Sequence, residues 1–257
     1  MVDAALPPEN LSLQDDRYQV LTVLGAGGFG HTFLAEDTQM PSRRKCVIKQ
    51  LKPISDNPEV YQIVQERFQR EAAILEQLGE AHPQIPRLYA YIQEGEQFYL
   101  VEEWIEGPTL TQKVQDGVLD EAQVRDILIN LLPVLDYVHQ HRMVHRDLKP
   151  DNIILRQSDG QPVLIDFGTV KETMQTVLNS QEQSAQSIVI GTPGYMPAEQ
   201  LAGRPVYSSD LYSLGLTAIY LLTGKVPQQF DTNPATGQVL WQSHAANLSP
   251  TFIETLE

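Results

Sequence analysis

The sequence predicts an α+β fold with segregated strands and helices. Three observations carry this. The first ~100 residues show the alternation and turn punctuation of strands, whereas the remainder carries helical periodicity. A Gly107-Pro108 breaker falls between the two regimes. The 257-residue length suits one large domain or two small ones.

Met1–Asp16 is polar, contains Pro7-Pro8, and reads as a tail. Tyr18–Leu24 alternates as a strand and runs into a glycine cluster, Gly25-Ala-Gly-Gly-Phe-Gly30. His31–Ala35 and Cys46–Leu51 read as two further strands, giving three consecutive antiparallel strands with short turns. Asn57-Pro58 opens a helix, with Asn as cap and Pro at the first helical position. Phe68, Ala72, Leu75 and Leu78 share one face of it, and Gly79 marks its end. Arg87–Gln93 and Phe98–Trp104 supply two more strands.

Beyond the breaker, Asp120 and Gln123 form a capping-box signature. Val124, Ile127, Leu128, Leu131, Leu135 and Val138 follow as an apolar stripe. Pro133 inside it should kink the helix or cost ~3 kcal/mol. Short strands are expected at Ile153–Leu155 and Val163–Ile165, and a buried helix at Tyr212–Leu222. Gln175–Ser187 is polar and reads as a loop.

Composition excludes several function classes. Eighteen Lys and Arg against 33 Asp and Glu give a net charge of −15, which argues against binding a nucleic-acid backbone. The 42% hydrophobic content excludes global disorder. Cys46 alone supports neither an internal disulfide framework nor a cysteine-built metal site, and a reducing, cytoplasmic setting is expected. The first basic residue is Arg17, so the start lacks the positive region of an export signal. The longest apolar run, near Leu214–Leu222, is shorter than the ~18 residues of a membrane span. An anchor beyond residue 257 is left open.

Three groups of residues carry chemistry. Gly25-x-Gly-x-x-Gly30 sits between two strands, where its backbone N–H groups can cover a phosphate chain; a plain glycine hairpin has the same sequence. Lys49 ends the apolar run Val47-Ile48-Lys49, and Glu71 on the following helix is a candidate partner for a partly buried ammonium; a surface lysine reads the same way. The densest group is His145-Arg-Asp147-Leu-Lys149-Pro-Asp-Asn152, followed by Asp166-Phe-Gly168. Asp and Asn oxygens there are hard ligands suited to Mg²⁺, an Asp can take a hydroxyl proton, and a nearby Lys can offset charge on a phosphoryl group. His139, His141 and His145 also cluster, but with no partnering cysteine and no HExxH they are not read as a metal site.

In this order and spacing, with Gly191-Thr-Pro-Gly-Tyr-Met-Pro-Ala-Glu199 closing the set, the chain resembles a eukaryotic-type protein kinase, and within that family a bacterial Ser/Thr kinase. The resemblance implies a bilobal kinase fold: a tail to residue 16, an N-lobe over 17–103 with a five-stranded antiparallel sheet and one helix, a hinge at 104–108, and a mainly helical C-lobe over 109–257. It implies ATP, Mg²⁺ (with Mn²⁺ as a substitute), protein substrates, autophosphorylation and a signalling role. Gly25, Gly27 and Gly30 would cover the phosphates, and Lys49, paired with Glu71, would hold them. Leu24, Val47, Glu103, Ile105 and Ile154 would complete the nucleotide site. Asp147 would accept the substrate proton, Lys149 would steady the transferring group, and Asn152 and Asp166 would hold the metal. His145 and Phe167 would be packing elements, and Asp210 would brace the catalytic loop. Arg146 would bind a phosphorylated loop, whose Thr173, Thr176, Ser180, Ser184 and Ser187 are candidate sites; Ser184 and Ser187 are favoured, with Thr192 as a further regulatory candidate.

The chain also departs from the family pattern. Thr32 and Val47 alter the adenine sandwich. Glu102 falls at the back of the nucleotide pocket, where a carboxylate must be solvated, paired or neutralised, and it is expected to compete with Glu71 for Lys49. Pro197 and Ala198 are swapped relative to Ala-Pro-Glu. The last basic residue, Lys225, precedes the place of the Arg that usually pairs with Glu199, so Glu199 is expected to lack a partner and the closing helices to lie in a longer chain. The rival readings are a pseudokinase that acts as a binding module and a kinase-fold phosphotransferase for small molecules. Gly191–Tyr195, a peptide-docking segment, argues against the second.

Overall fold

Strand alternation sets the first half of the structure. The coordinates, a computed structural model, describe residues 12–13, 16–27, 30–51, 58–95, 97–167, 194–236, 238–245 and 247–257, with the backbone alone at 12, 27, 58–61, 63–64 and 67. The chain divides into two units, Met1–Trp104 and Ile105–Glu257, so the division falls at the start of the segment expected to act as a hinge.

In the first unit, β1 (Ser12–Leu13), β2 (Tyr18–Gly27), β3 (Gly30–Asp37), β4 (Lys45–Leu51), β5 (Leu88–Glu94) and β6 (Gln97–Glu103) form one antiparallel sheet in the order β1-β2-β3-β4-β6-β5. Five of these strands were expected. The sixth corrects the tail assignment: Ser12–Leu13 pairs with Tyr18 and Gln19, and Leu13 is buried. Two residues carry no periodicity, so burial of one leucine against the sheet makes this strand. A second difference concerns the glycine cluster. Gly25 and Gly27 lie within β2 rather than in a loop, and Gly27 pairs with Gly30. A register shift between Val23 and Gly25 accommodates them, as bulges do.

β6 is buried on both faces, as a central strand should be. Tyr99 and Val101 join Phe33, Ala35, Cys46, Ile48 and Leu13 in one core. On the same side of the sheet as Phe98 lies α1 (Pro58–Gly79), whose Phe68 meets Tyr91 at 6.2 Å, which in turn stacks on Phe98 at 6.0 Å. The buried positions Phe68, Ala72, Leu75 and Leu78 follow helical spacing. Glu71 shares that face and is buried with them.

In the second unit, residues 106–109 run beside β7 (Ile153–Leu155): Leu155 N–H donates to Pro108 O at 2.9 Å, and Gln157 N–H to Glu106 O at 2.7 Å. Gly107 is required there, because φ is 151° and a Cβ would sit 2.0 Å from Leu155 O. β7 pairs with β8 (Pro162–Leu164). The helices are α2 (Leu110–Gln115), α3 (Glu121–Gln140), α4 (Ala198–Leu201), α5 (Tyr207–Thr223) and α6 (Pro250–Leu256). The Asp120–Gln123 capping box is formed in both directions. α3 runs through Pro133 instead of stopping, since Pro133 and Ile129, the residue four earlier, lie on its exposed face, where water can serve the carbonyl that Pro cannot. No helix among the described residues is long and apolar enough to cross a membrane.

Candidate active site

The loop from His145 to Asn152 is placed by one buried carboxylate. Asp210, in the first turn of α5, is 1% exposed and accepts His145 N–H at 2.9 Å and Arg146 N–H at 3.0 Å. His139 Nε2 also contacts it, at 2.8 Å, and stacks on Tyr207. A carboxylate this buried needs such partners, and three convergent groups supply them. The geometry thus gives Asp210 the bracing position expected of it.

His145 is wholly buried. Its Nε2 faces Ile165 O at 3.1 Å, while Asp147 N–H points to its Nδ1 at 3.4 Å. A carbonyl can only accept, so the proton sits on Nε2 and the ring is neutral. Burial accordingly holds its pKa below the usual histidine value, outweighing the nearby Asp210 and Asp147 charges. The ring packs on Phe167 at 4.7 Å. His141 is used elsewhere, with Nδ1 on Tyr137 O at 2.8 Å.

Asp147 is 8% exposed and fixed from two sides. Asn152 Nδ2 donates to its Oδ2 at 2.9 Å and to its backbone O at 2.7 Å. Lys149 Nζ lies 3.5 Å from Oδ2. With Nδ2 committed to Asp147, the amide of Asn152 has Oδ1 to offer a cation. Ile165 N–H donates to Asn152 O at 2.9 Å, and Ile153 pairs with Leu164, so the two strands bring Asn152 alongside the residue preceding Asp166. Asp166 adopts φ 60° and Arg146 φ 69°, both left-handed. Such residues cost of order 1–3 kcal/mol each and persist where surrounding bonds fix them. Hard oxygens from Asn152 and Asp166 suit a divalent metal of the Mg²⁺ kind.

The other candidate residues fall as follows. In the first unit, Lys49 Nζ lies 3.7 Å from Glu71 Oε1 and 2.9 Å from Glu102 Oε1. Leu24, Gly25 and Gly27 are on β2, Gly30 on β3, Val47 on β4, and Glu103 at the end of β6, where its N–H donates to Arg87 O. In the second unit, Ile105 and Ile154 meet Val163 and Ile165 in one apolar cluster. Ser184, Ser187 and Thr192 lie outside the described residues, as do Thr173, Thr176 and Ser180.

One expectation is corrected. Glu199 does have a partner: Ser209 Oγ donates to its Oε1 at 2.7 Å. Sequence reasoning missed this serine, and it missed Gln200, which is 4% exposed and whose Nε2 donates to Arg146 O. Ser213 Oγ likewise donates to Tyr195 O at 2.8 Å. The available signal was Ser209, Asp210 and Ser213 on the buried stripe of an apolar helix, where polar groups need partners.

Known proteins resemble this chain closely. The protein kinase domain family model matches residues 18–251. Serine/threonine-protein kinase PknA of Nostoc sp. (strain PCC 7120) is 67% identical over 246 residues, covering 95% of this chain and 44% of that protein. Serine/threonine-protein kinase C of Synechocystis sp. (strain PCC 6803) is 59% identical over 248 residues, covering 96% and 46% respectively. The chain therefore spans less than half the length of each of these relatives. Among solved structures, PpkA-294 in its apo form superposes with a TM-score of 0.76 at 24% identity over 95% of this chain and 90% of that one, a likeness of fold. The PknI kinase domain of Mycobacterium tuberculosis gives 0.60 at 28% identity, covering 82% and 74%.

Proposed function

The chain belongs to the protein kinase domain family, and from that premise we propose that it is the catalytic part of a Ser/Thr protein kinase. It would transfer the γ-phosphoryl group of ATP to Ser and Thr hydroxyls of protein substrates, itself included. The single observation that carries this reading is the fixing of Asp147 by Asn152 and Lys149 on a loop held by Asp210.

In this reading Asp147 aims the hydroxyl and takes its proton as the oxygen bonds to the γ-phosphorus and the bond to the β–γ bridging oxygen breaks, leaving ADP. Lys149, already beside that carboxylate, offsets charge on the transferring group. Lys49 holds the α- and β-phosphates, with Gly25, Gly27 and Gly30 over them. Kinases of this family use ATP with a divalent metal, which neutralises phosphate charge; here Asn152 and Asp166 would hold Mg²⁺, or Mn²⁺ in its place. Leu24, Val47, Glu103, Ile105 and Ile154 would line the base. Residues 104–108 would serve as hinge. Arg146 would receive a phosphate on Ser184, Ser187 or Thr192. A cytoplasmic setting fits the single cysteine, and a lack of nucleic-acid partners fits the charge of −15.

A binding module without turnover gains no support, because the relatives this chain matches at 67% and 59% identity are named Ser/Thr protein kinases. The test is transfer of radiolabel from [γ-³²P]ATP to the protein and to a generic acceptor, followed by phosphoamino-acid analysis. Phosphoserine and phosphothreonine are expected. No transfer, or phosphotyrosine alone, would overturn the proposal.

A further inference from the structure

Lys49 has two buried carboxylates beside it, and the nearer one is not the helix glutamate. Glu102 Oε1 lies 2.9 Å from Nζ and Glu71 Oε1 3.7 Å. The sheet dictates this contact. Val47 on β4 pairs with Glu102 on β6, and Lys49, two residues on, projects from the same face. Such diagonal neighbours lie within reach of long side chains. α1 then lays Glu71 over the same spot. Glu102 is 3% exposed and Glu71 6%, so neither charge is relaxed by bulk water.

We infer that Glu102 is a positioning residue that holds the Lys49 ammonium in competition with the nucleotide phosphates, and so sets a weakened affinity for ATP. The inference rests on the kinase reading, in which Lys49 contacts those phosphates. Glu102 is the nearer of these two carboxylates to the ammonium, and its charge acts in a region of low effective dielectric. A triphosphate arriving at Lys49 must draw it from Glu102 and also meets the charge of that carboxylate. A neutral residue at 102 would remove both obstacles, while Glu71 would still hold Lys49.

The prediction separates this role from simple packing. Glu102→Gln keeps the size of the side chain and removes its charge. Binding of Mg²⁺ with a non-hydrolysable ATP analogue, measured calorimetrically, should tighten at least about tenfold, the effect that one charge ~12 Å away exerts at an effective dielectric of ~20 and that a closer charge exceeds. The KM for ATP should fall in parallel and change more than kcat. Adenosine, which has no phosphates, should bind the variant and the wild type equally. Glu102→Asp, which keeps the charge, should stay nearer to wild type. In a Lys49→Met background, where only the direct repulsion of the phosphates remains, Glu102→Gln should shift analogue affinity less than it does with Lys49 present.

Unchanged or weaker analogue binding by folded Glu102→Gln protein would overturn the inference, as would an equal shift for adenosine. Wild-type protein that binds the analogue and transfers phosphate, with no Glu102→Gln effect, would remove this inference alone. Wild-type protein that does neither would remove the kinase reading and the inference with it.

Discussion

At the scale of single residues, buried charge decides most of what can be tested. Asp37 is fully buried and bidentate with Arg17, Nε to Oδ1 and Nη2 to Oδ2 both at 3.0 Å, with Arg44 at 3.6 Å. The Arg17 guanidinium holds its carboxyl below the usual range. Because the folded value is depressed, the stabilisation is fully present above the unfolded value of about 3.9 and is lost as pH falls through the folded one. Asp37→Asn should cost about 2 kcal/mol at neutral pH in denaturant melts and flatten this acid limb. His145 gives a second acid-sensitive contribution with the same sign. Its folded pKa is depressed by burial, so the unfolded chain takes up the proton first and stability declines as pH falls below about 6.5. Its imidazole resonances should therefore titrate, if at all, below the ordinary histidine value of about 6.5; a midpoint at or above it would contradict the buried, neutral ring.

At the scale of elements, α5 is the organiser. Its apolar stripe buries it, and three polar side chains in its first two turns each hold a different segment: Ser209 holds Glu199, Asp210 the His145–Arg146 backbone and Ser213 Tyr195. Gln200 of α4 adds a tie to the carbonyl of Arg146. Gln200→Leu should cost about 1–2 kcal/mol, by leaving that carbonyl unserved, and should lower kcat for phosphoryl transfer; a stable variant with wild-type kcat would show that the tie is idle. Gly107→Ala should destabilise by more than ~1 kcal/mol, through both its φ and the contact with Leu155 O, as thermal melts would read. The same elements explain what was legible. The run from His145 to Asn152 is local in sequence, so its chemistry can be read directly. The capping box at Asp120 and the stripe on α1 follow from spacing alone. The bonds of Ser209 and Gln200 join segments that no periodicity links. The Lys49–Glu102 contact was foreseeable as competition for one lysine, but its closeness needed the Val47–Glu102 register. The strand at Ser12–Leu13 is too short to carry any pattern.

At the scale of the whole molecule, a net charge of −15 coexists with lysines proposed to meet phosphate in each unit. The excess is a distributed surface property, whereas Lys49 and Lys149 act within a few ångströms of named carboxylates. Self-repulsion of this size should be screened by salt, so the melting temperature should rise between 10 and 150 mM NaCl. The two units each carry part of the proposed chemistry: Lys49, Glu71 and Glu102 in the first, and Asp147, Lys149, Asn152 and Asp166 in the second. In the proposed reading, Asp147 is the group on which transfer turns. The most direct measurement compares wild type and Asp147→Asn in [γ-³²P]ATP transfer to an acceptor protein, with thermal melts and analogue binding run alongside. The account predicts a loss of at least ~10²-fold in transfer, as for removal of a positioned base, with folding and nucleotide binding retained. Transfer at the wild-type rate by Asp147→Asn would contradict it.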